Sequence, residues 1–147
     1  MSDWNELGDA GLTEFFIAYR AAFKNRDAET LAGCFSYPCL LTSDLGGSVR
    51  SRSVADAEAY KAVAGMVIEL YDRAGAIGGA PLRTSVIRVS EAIALVEVRW
   101  RIRSATAPLY DFGAIYTLVR TGAGWRICAI AQDEIPKLQA AAERSAS

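Results

Sequence analysis

The 147-residue chain contains no histidine, and that absence narrows the available chemistry before any element is drawn. Histidine is the side chain whose ordinary pKa lies nearest neutrality. Without it, Ser-His-Asp and Cys-His nucleophilic sites are excluded, as are His-rich zinc and non-haem iron sites. Proton transfer would then fall to Asp, Glu, Tyr, Lys, Cys or water with a shifted pKa. The stretch YRAAFKNRDAETLAGCFSYPCLLTSDLGG, Tyr19 to Gly47, gathers such groups: a tyrosine at its start, Asp27 inside it and Asp44 near its end. Tyr19 suits two roles, a hydrogen-bond donor inside a pocket or a core tyrosine with a satisfied hydroxyl. Asp27 reads as a helix N-cap. Cys34, Cys39 and Cys128 form no CxxC pattern and sit among apolar neighbours, as buried reduced thiols do. Neither Gly46–Gly47 nor Gly78–Gly79 has the setting of a phosphate-binding loop.

The elements that would carry these groups follow from periodicity. LTEFFIAYRAAFKN places Leu12, Phe15, Phe16, Tyr19 and Phe23 on one helical face. AETLAGCF reads as a short second helix burying Leu31, Cys34 and Phe35, stopped by Pro38. CLLTS reads as a strand and DLGG as a turn. A third helix is expected from Ser53 to about Arg73, with Ser53 and Asp56 as a capping box and Tyr60, Val63, Val67, Leu70 and Tyr71 as its stripe. Residues 74–81, AGAIGGAP, read as a flexible connection. Then the period changes to two. LRTSVIRVS, AIALVEVRWRIR, DFGAIYTLVR and GWRICAIAQ read as strands, with SATAPLY and the tight TGAG as connections. Val96, Val98, Trp100 and Ile102 share one face of the second; Glu97, Arg99, Arg101 and Arg103 share the other, a solvated or dimer surface. Asp111 is expected in a turn, and Asp133 either at the pocket mouth, where it could shuttle a proton, or as the cap of a helix from Ile135 to Arg144, with Pro136 in its first turn. Trp125 is expected to anchor the core.

Composition bounds the function classes. Hydrophobic residues make up 52% of the chain and the formal net charge is −1. The core can be substantial, and no electrostatic attraction to nucleic acid or anionic membrane is expected. There is no apolar run near the ~18 residues a membrane span needs. MSDWNELGDAGL lacks the pattern of a signal peptide, which makes cytoplasmic location the expectation. Helices followed by an antiparallel meander give an α+β domain.

The order of these elements, FFIAYRAAFKNRDAETLAGCF, the long helix, then VEVRWRIR and YDFGAIYTLVRTGAGWRI, resembles the NTF2-like superfamily, which includes SnoaL-like proteins and ketosteroid isomerase. The resemblance covers about residues 12–133. It implies a cystatin-like cone, a curved antiparallel sheet wrapped around N-terminal helices, with an apolar pocket and frequent homodimers through the sheet. The domain is bounded at 12–134, preceded by an N-terminal extension, 1–11, and followed by a C-terminal helix and tail, 135–147. Ketosteroid isomerase uses a tyrosine and a protonated aspartic acid as oxyanion donors and a second aspartate as the base. Matching patterns puts its tyrosine on Tyr19, its base on Ser43 and its protonated acid on Tyr116. Both acids are therefore replaced, and isomerase activity is not inherited. Asp44, one residue from the base position, would face the pocket only if a bulge turned it inward. The Asp-Arg-Asp pattern of the epoxide hydrolase branch is absent from Glu97, Arg99 and Arg101. The polar strand end of the SnoaL-like cyclases is replaced here by CAIA.

The resulting expectation is a pocket for a small apolar or carbonyl-bearing molecule, lined by Tyr19, Phe23, Phe35, Ser43, Trp100 and Tyr116. Catalytic candidates are Tyr19, Asp44 and Tyr116, working by acid/base isomerisation or cyclisation with no cofactor and no metal. The alternative is a non-enzymatic dimerisation or ligand-binding module acting with another protein.

Overall fold

A computed structural model describes residues 4–146. Residues 1–3 of the N-terminal extension and Ser147 of the tail lie outside the described residues. The first helix, α1, runs Ala10–Lys24 and is capped by Asp9, whose side chain accepts from the Leu12 amide. Helix α2 is Ala28–Ala32, capped by Asp27 accepting from the Thr30 amide, the cap that the sequence predicts. Strands β1, Phe35–Asp44, and β2, Val49–Val54, form a hairpin. Helix α3, Ala57–Ala74, follows, then β3, Ala76–Arg88; β4, Ile93–Ser104; β5, Pro108–Thr121; and β6, Gly124–Gln132. Helix α4, Ile135–Ala146, closes the described chain. No helix among the described residues is long and apolar enough to cross a membrane.

The six strands lie in the order β2-β1-β6-β5-β4-β3, antiparallel except for the parallel β1–β6 pair. This is the α+β cone of the resemblance. Register shifts in β3–β4, at Ala76/Gly78 and Pro81/Arg83, and in β4–β5, at Ile102/Arg103, mark irregularities of the bulge type. Such bulges bend strands and raise their local twist, which lets a sheet wrap its helices. The strand period sorts β4 as expected: Val96, Val98, Trp100 and Ile102 are buried, while Glu97, Arg99 and Arg103 are exposed. Val96 and Val98 are fully buried, each contributing roughly 1.5–3 kcal/mol of apolar transfer free energy. Trp4 joins this core, stacked on Phe16 at 5.1 Å and edge-on to Trp100 at 5.4 Å. Trp125 is buried beneath the guanidinium groups of Arg120 and Arg88.

Several boundaries depart from the sequence expectation. Helix α2 ends at Ala32 with Gly33 as its C-cap, and Pro38 lies within β1 rather than stopping a helix. Ser53 does not start α3. It pairs with Leu40 as part of β2, and Asp56 alone caps the helix by accepting from Ala59 at 2.9 Å. The polar alternation VRSRSV gives no hydrophobic signal; pairing with β1 makes it a strand. Residues 76–81 are not a flexible connection but the first half of β3. An edge strand tolerates Pro81, and a Cβ on Gly79 would lie 2.9 Å from Ile102 Cδ1, so any larger residue there would have to push that side chain aside. Gly75 is the C-cap of α3, at φ 73°, a left-handed conformation open to glycine. Asp111 is a β5 residue, bridged by the Arg101 guanidinium at 2.8 and 3.0 Å, and not a turn residue.

Candidate functional site

A cavity of about 390 Å3 lies between the concave sheet face and helices α1, α3 and α4. That volume suits a small organic molecule. Each wall follows from a period. Tyr19 and Phe23, one turn apart on α1, form one side; Tyr60, Ala64, Val67 and Tyr71 on α3 form another. From the sheet come alternate residues, Trp100 and Ile102 on β4, Phe112, Ala114 and Tyr116 on β5, Ile130 and Gln132 on β6.

Two polar constellations interrupt the apolar wall. The first centres on Glu134, which follows β6 and lines the cavity at only 8% exposure. The Tyr71 hydroxyl donates to its Oε2 at 2.6 Å and the Tyr110 hydroxyl at 2.8 Å. Both donors converge on one oxygen, so Oε1 has no donor among the described residues. Its backbone N–H donates to Gln132 Oε1, and Gln132 Nε2 donates to Ser43 Oγ at 3.0 Å. Burial raises the Glu134 pKa, the two phenol hydrogen bonds lower it and the nearby Asp133 charge raises it, leaving it at about 7. Loss of water outweighs the two donors. A carboxyl whose pKa lies near neutrality is suited to taking and returning a proton.

The second constellation centres on Tyr116. The Trp100 indole N–H donates to its hydroxyl oxygen at 2.9 Å, and the Tyr19 ring packs edge-on against its ring with centroids 5.8 Å apart. Because the oxygen accepts from the indole, the phenol's own proton remains to be donated. Burial holds both tyrosines above the usual phenol pKa, so they stay protonated, and Glu134 is near enough for its charge to add to that effect.

The residues expected at the pocket divide clearly. Tyr19, Phe23, Ser43, Trp100 and Tyr116 line the cavity. Tyr19 is buried in the core and also forms part of the wall. Phe35 does not line it. Its ring packs beneath Tyr60 with centroids 4.2 Å apart, and Tyr60 takes the wall position. Asp44 does not line it either, because no bulge separates it from Ser43. It is exposed, and its Oδ1 accepts from the Gly46 and Gly47 amides, each at 3.0 Å. Those bonds, Gly47 first, hold its carboxyl below the usual range. Asp44 instead borders a shallow groove with Glu97, Arg99 and Asp133 on the other side of the sheet. Asp133 is not the cap expected of it: Oδ1 accepts from the Gly113 amide at 3.0 Å, and Oδ2 lies 3.4 Å from Lys137 Nζ.

Sequence reasoning does not single out Glu134, Tyr110 or Gln132, and it treats Tyr71 only as part of an apolar stripe. A usable signal is parity: Glu134 lies two residues beyond Gln132 and continues the row of alternate residues, Ile130 and Gln132, that face inward. Among the described residues no cluster of three or more Cys, Asp or Glu side chains could hold a metal ion.

Comparison with known proteins places this geometry in a family. A family model described as NTF2-like protein (DUF6841) matches residues 8–135. No curated protein matches the chain. Among solved structures, an NTF2-like protein with a cystatin-like fold from Novosphingobium aromaticivorans is similar at 17% identity and TM-score 0.65, covering 99% of this chain and 89% of that one. A protein of unknown function from Mycobacterium tuberculosis is similar at 15% identity and TM-score 0.65, covering 92% and 85%. The protein Aln2 from a Streptomyces species is similar at 18% identity and TM-score 0.64, covering 84% and 87%. At these identities the likeness shows the fold.

Proposed function

The chain belongs to the NTF2-like family DUF6841, and on that premise we propose that its pocket binds a small carbonyl-bearing organic molecule and moves a proton on it without a cofactor. The observation that carries this reading is Glu134: a buried carboxyl on the cavity wall, clamped on one oxygen by Tyr71 and Tyr110, with its other oxygen free of protein donors and a pKa of about 7. In this reading the substrate carbonyl accepts the Tyr116 proton as a hydrogen bond. The Trp100 indole N–H holds that phenol oxygen, and the Tyr19 ring packs against its ring. Glu134 Oε1 removes a proton from the carbon next to the carbonyl. The electron pair of the broken C–H bond moves into an enolate whose oxygen Tyr116 stabilises, and Glu134 returns the proton at the same or a conjugated carbon. The outcome is isomerisation, or cyclisation where the enolate carbon meets an electrophile in the same molecule.

The test uses exchange rather than a known substrate. A panel of cyclic ketones and enones is incubated with the protein in D2O near pH 7, and α-deuteration is followed by NMR. Protein-dependent exchange that falls by about 10²–10⁴ in Glu134→Gln supports the reading. Equal rates with wild type and Glu134→Gln remove Glu134 as the base.

A second reading rests on the opposite side of the sheet. Ile115 is 47% exposed there, beside Glu97 and Arg99. A homodimer through this face is part of the proposal, and a non-enzymatic dimerisation module is what remains if no exchange is found. Sedimentation of wild type and Ile115→Arg checks it: a dimer in the first and a monomer in the second are expected.

A further inference from the structure

The cavity lining contains one carboxyl, Glu134, and three arginines, Arg20, Arg50 and Arg52. The Arg20 Nε–H donates to the Gly79 carbonyl at 2.6 Å, which ties that side chain to β3. Arg50 and Arg52 are different. Both are exposed on the edge strand β2, and among the described residues no carboxylate pairs with either. They sit two residues apart and so on one side of the strand, opposite Ser43 and Leu41 of β1, which also line the cavity. Charged residues on an edge strand deter strand pairing. That role does not require a side chain on the cavity wall.

The register also sets a spacing. Arg50 pairs with Ser43, and Ser43 with Gln132, two residues before Glu134. Two strand spacings separate β2 from β6, roughly 10 Å. The Arg50 and Arg52 Cα atoms are about 7 Å apart along the strand, within reach of one shared anionic group for two long side chains.

Resting on the pocket reading above, we infer that the ligand is an amphipathic anion: an apolar body in the cavity, and a carboxylate or similar group held between Arg50 and Arg52. Two unpaired guanidinium groups at an apolar opening raise the local concentration of such a ligand and fix which end enters first. The reacting carbon then lies near Glu134, about the width of two strands from the anionic end.

The test uses two probes that share one ring system. 1-Anilinonaphthalene-8-sulfonate carries an anion, and N-phenyl-1-naphthylamine lacks it. Both report an apolar site by fluorescence. Wild type is expected to prefer the sulfonate by about three- to tenfold, the preference shrinking as salt rises. Arg50→Gln/Arg52→Gln, altered only at exposed positions, is expected to lose that preference while still binding the neutral probe. Equal affinity for both probes in wild type, or an undiminished preference in the double variant, overturns the anion clamp and leaves the cavity reading standing. Absence of binding by either probe overturns the cavity reading, and the clamp with it. So does binding unaffected by Val67→Trp or Leu70→Trp, whichever retains its helical spectrum.

Discussion

Asp44, the last residue of β1, and Glu134, just past the end of β6, end on opposite sides of the same sheet. Ser43 pairs with Gln132 across these two parallel strands. One residue beyond Ser43, Asp44 turns to solvent and accepts two glycine amides, which hold its carboxyl below the usual range. Two residues beyond Gln132, Glu134 turns into the cavity, loses its water and is held at about 7 despite two phenol donors. The same functional group is thus driven in opposite directions by environment alone. Hydrogen bonding decides for the solvated carboxyl and desolvation for the buried one. Only the second holds a proton that can be exchanged near neutral pH.

The contrast is broken most directly by exchanging the roles. Glu134→Gln is expected to lose about 10²–10⁴ in any protein-dependent proton exchange, whereas Asp44→Asn leaves it unchanged. A comparable loss in both variants, measured on the ketones above, would put the site elsewhere.

Stability against pH gives the next largest effect. The folded-state pKa of Glu134 is raised from 4.5 to about 7, so the folded protein binds this proton more tightly than the unfolded chain. The stabilisation is complete below the ordinary value and is lost as pH rises through about 7. At 1.36 kcal/mol per pKa unit, the loss is about 3 kcal/mol between pH 4 and pH 8. Glu134→Gln removes that slope. It is expected to melt several degrees above wild type at pH 8, and near it at pH 5. Urea titrations at the two pH values measure the difference.

Tyr71→Phe sharpens the comparison. It removes one of the two donors that favour the charged carboxylate, so the Glu134 pKa rises further. The acidic limb of exchange, set by deprotonation of Glu134, moves to higher pH by about one unit while the cavity keeps its shape. A profile that stays in place would mean that Tyr71 only packs. The smallest effect is expected at Asp44 itself. Its folded pKa is depressed, so its contribution is present above the ordinary range and disappears as pH falls through the lower folded value. Asp44→Asn should leave the melting temperature nearly unchanged at pH 7, a smaller change than in any variant above.

How much of this was legible in the sequence depends on the range of the interaction that decides each feature. The α1 face carrying Tyr19 and Phe23, the Asp27 cap and the alternation through Val96, Val98 and Trp100 are set within a few residues, and the structure keeps them. Strand parity also implied that Ser43 and Asp44 face apart. What misled was composition. Gly-Gly-Ala-Pro in β3 and Arg-Ser alternation in β2 resemble loop sequence, and both become strands only because a neighbour supplies the hydrogen bonds. Phe35 has the type of a pocket residue, yet Tyr60, brought over it by α3, takes that place.

The sequence by itself determined the α+β order, the buried faces of α1 and β4 and the lack of imidazole chemistry. These depend on residue type and local period. Tertiary structure alone decided that Glu134, rather than Asp44 or Asp133, meets Tyr71 and Tyr110. Those residues come from β6's end, α3 and β5, and a pKa near neutrality exists only where their packing removes water from the carboxyl.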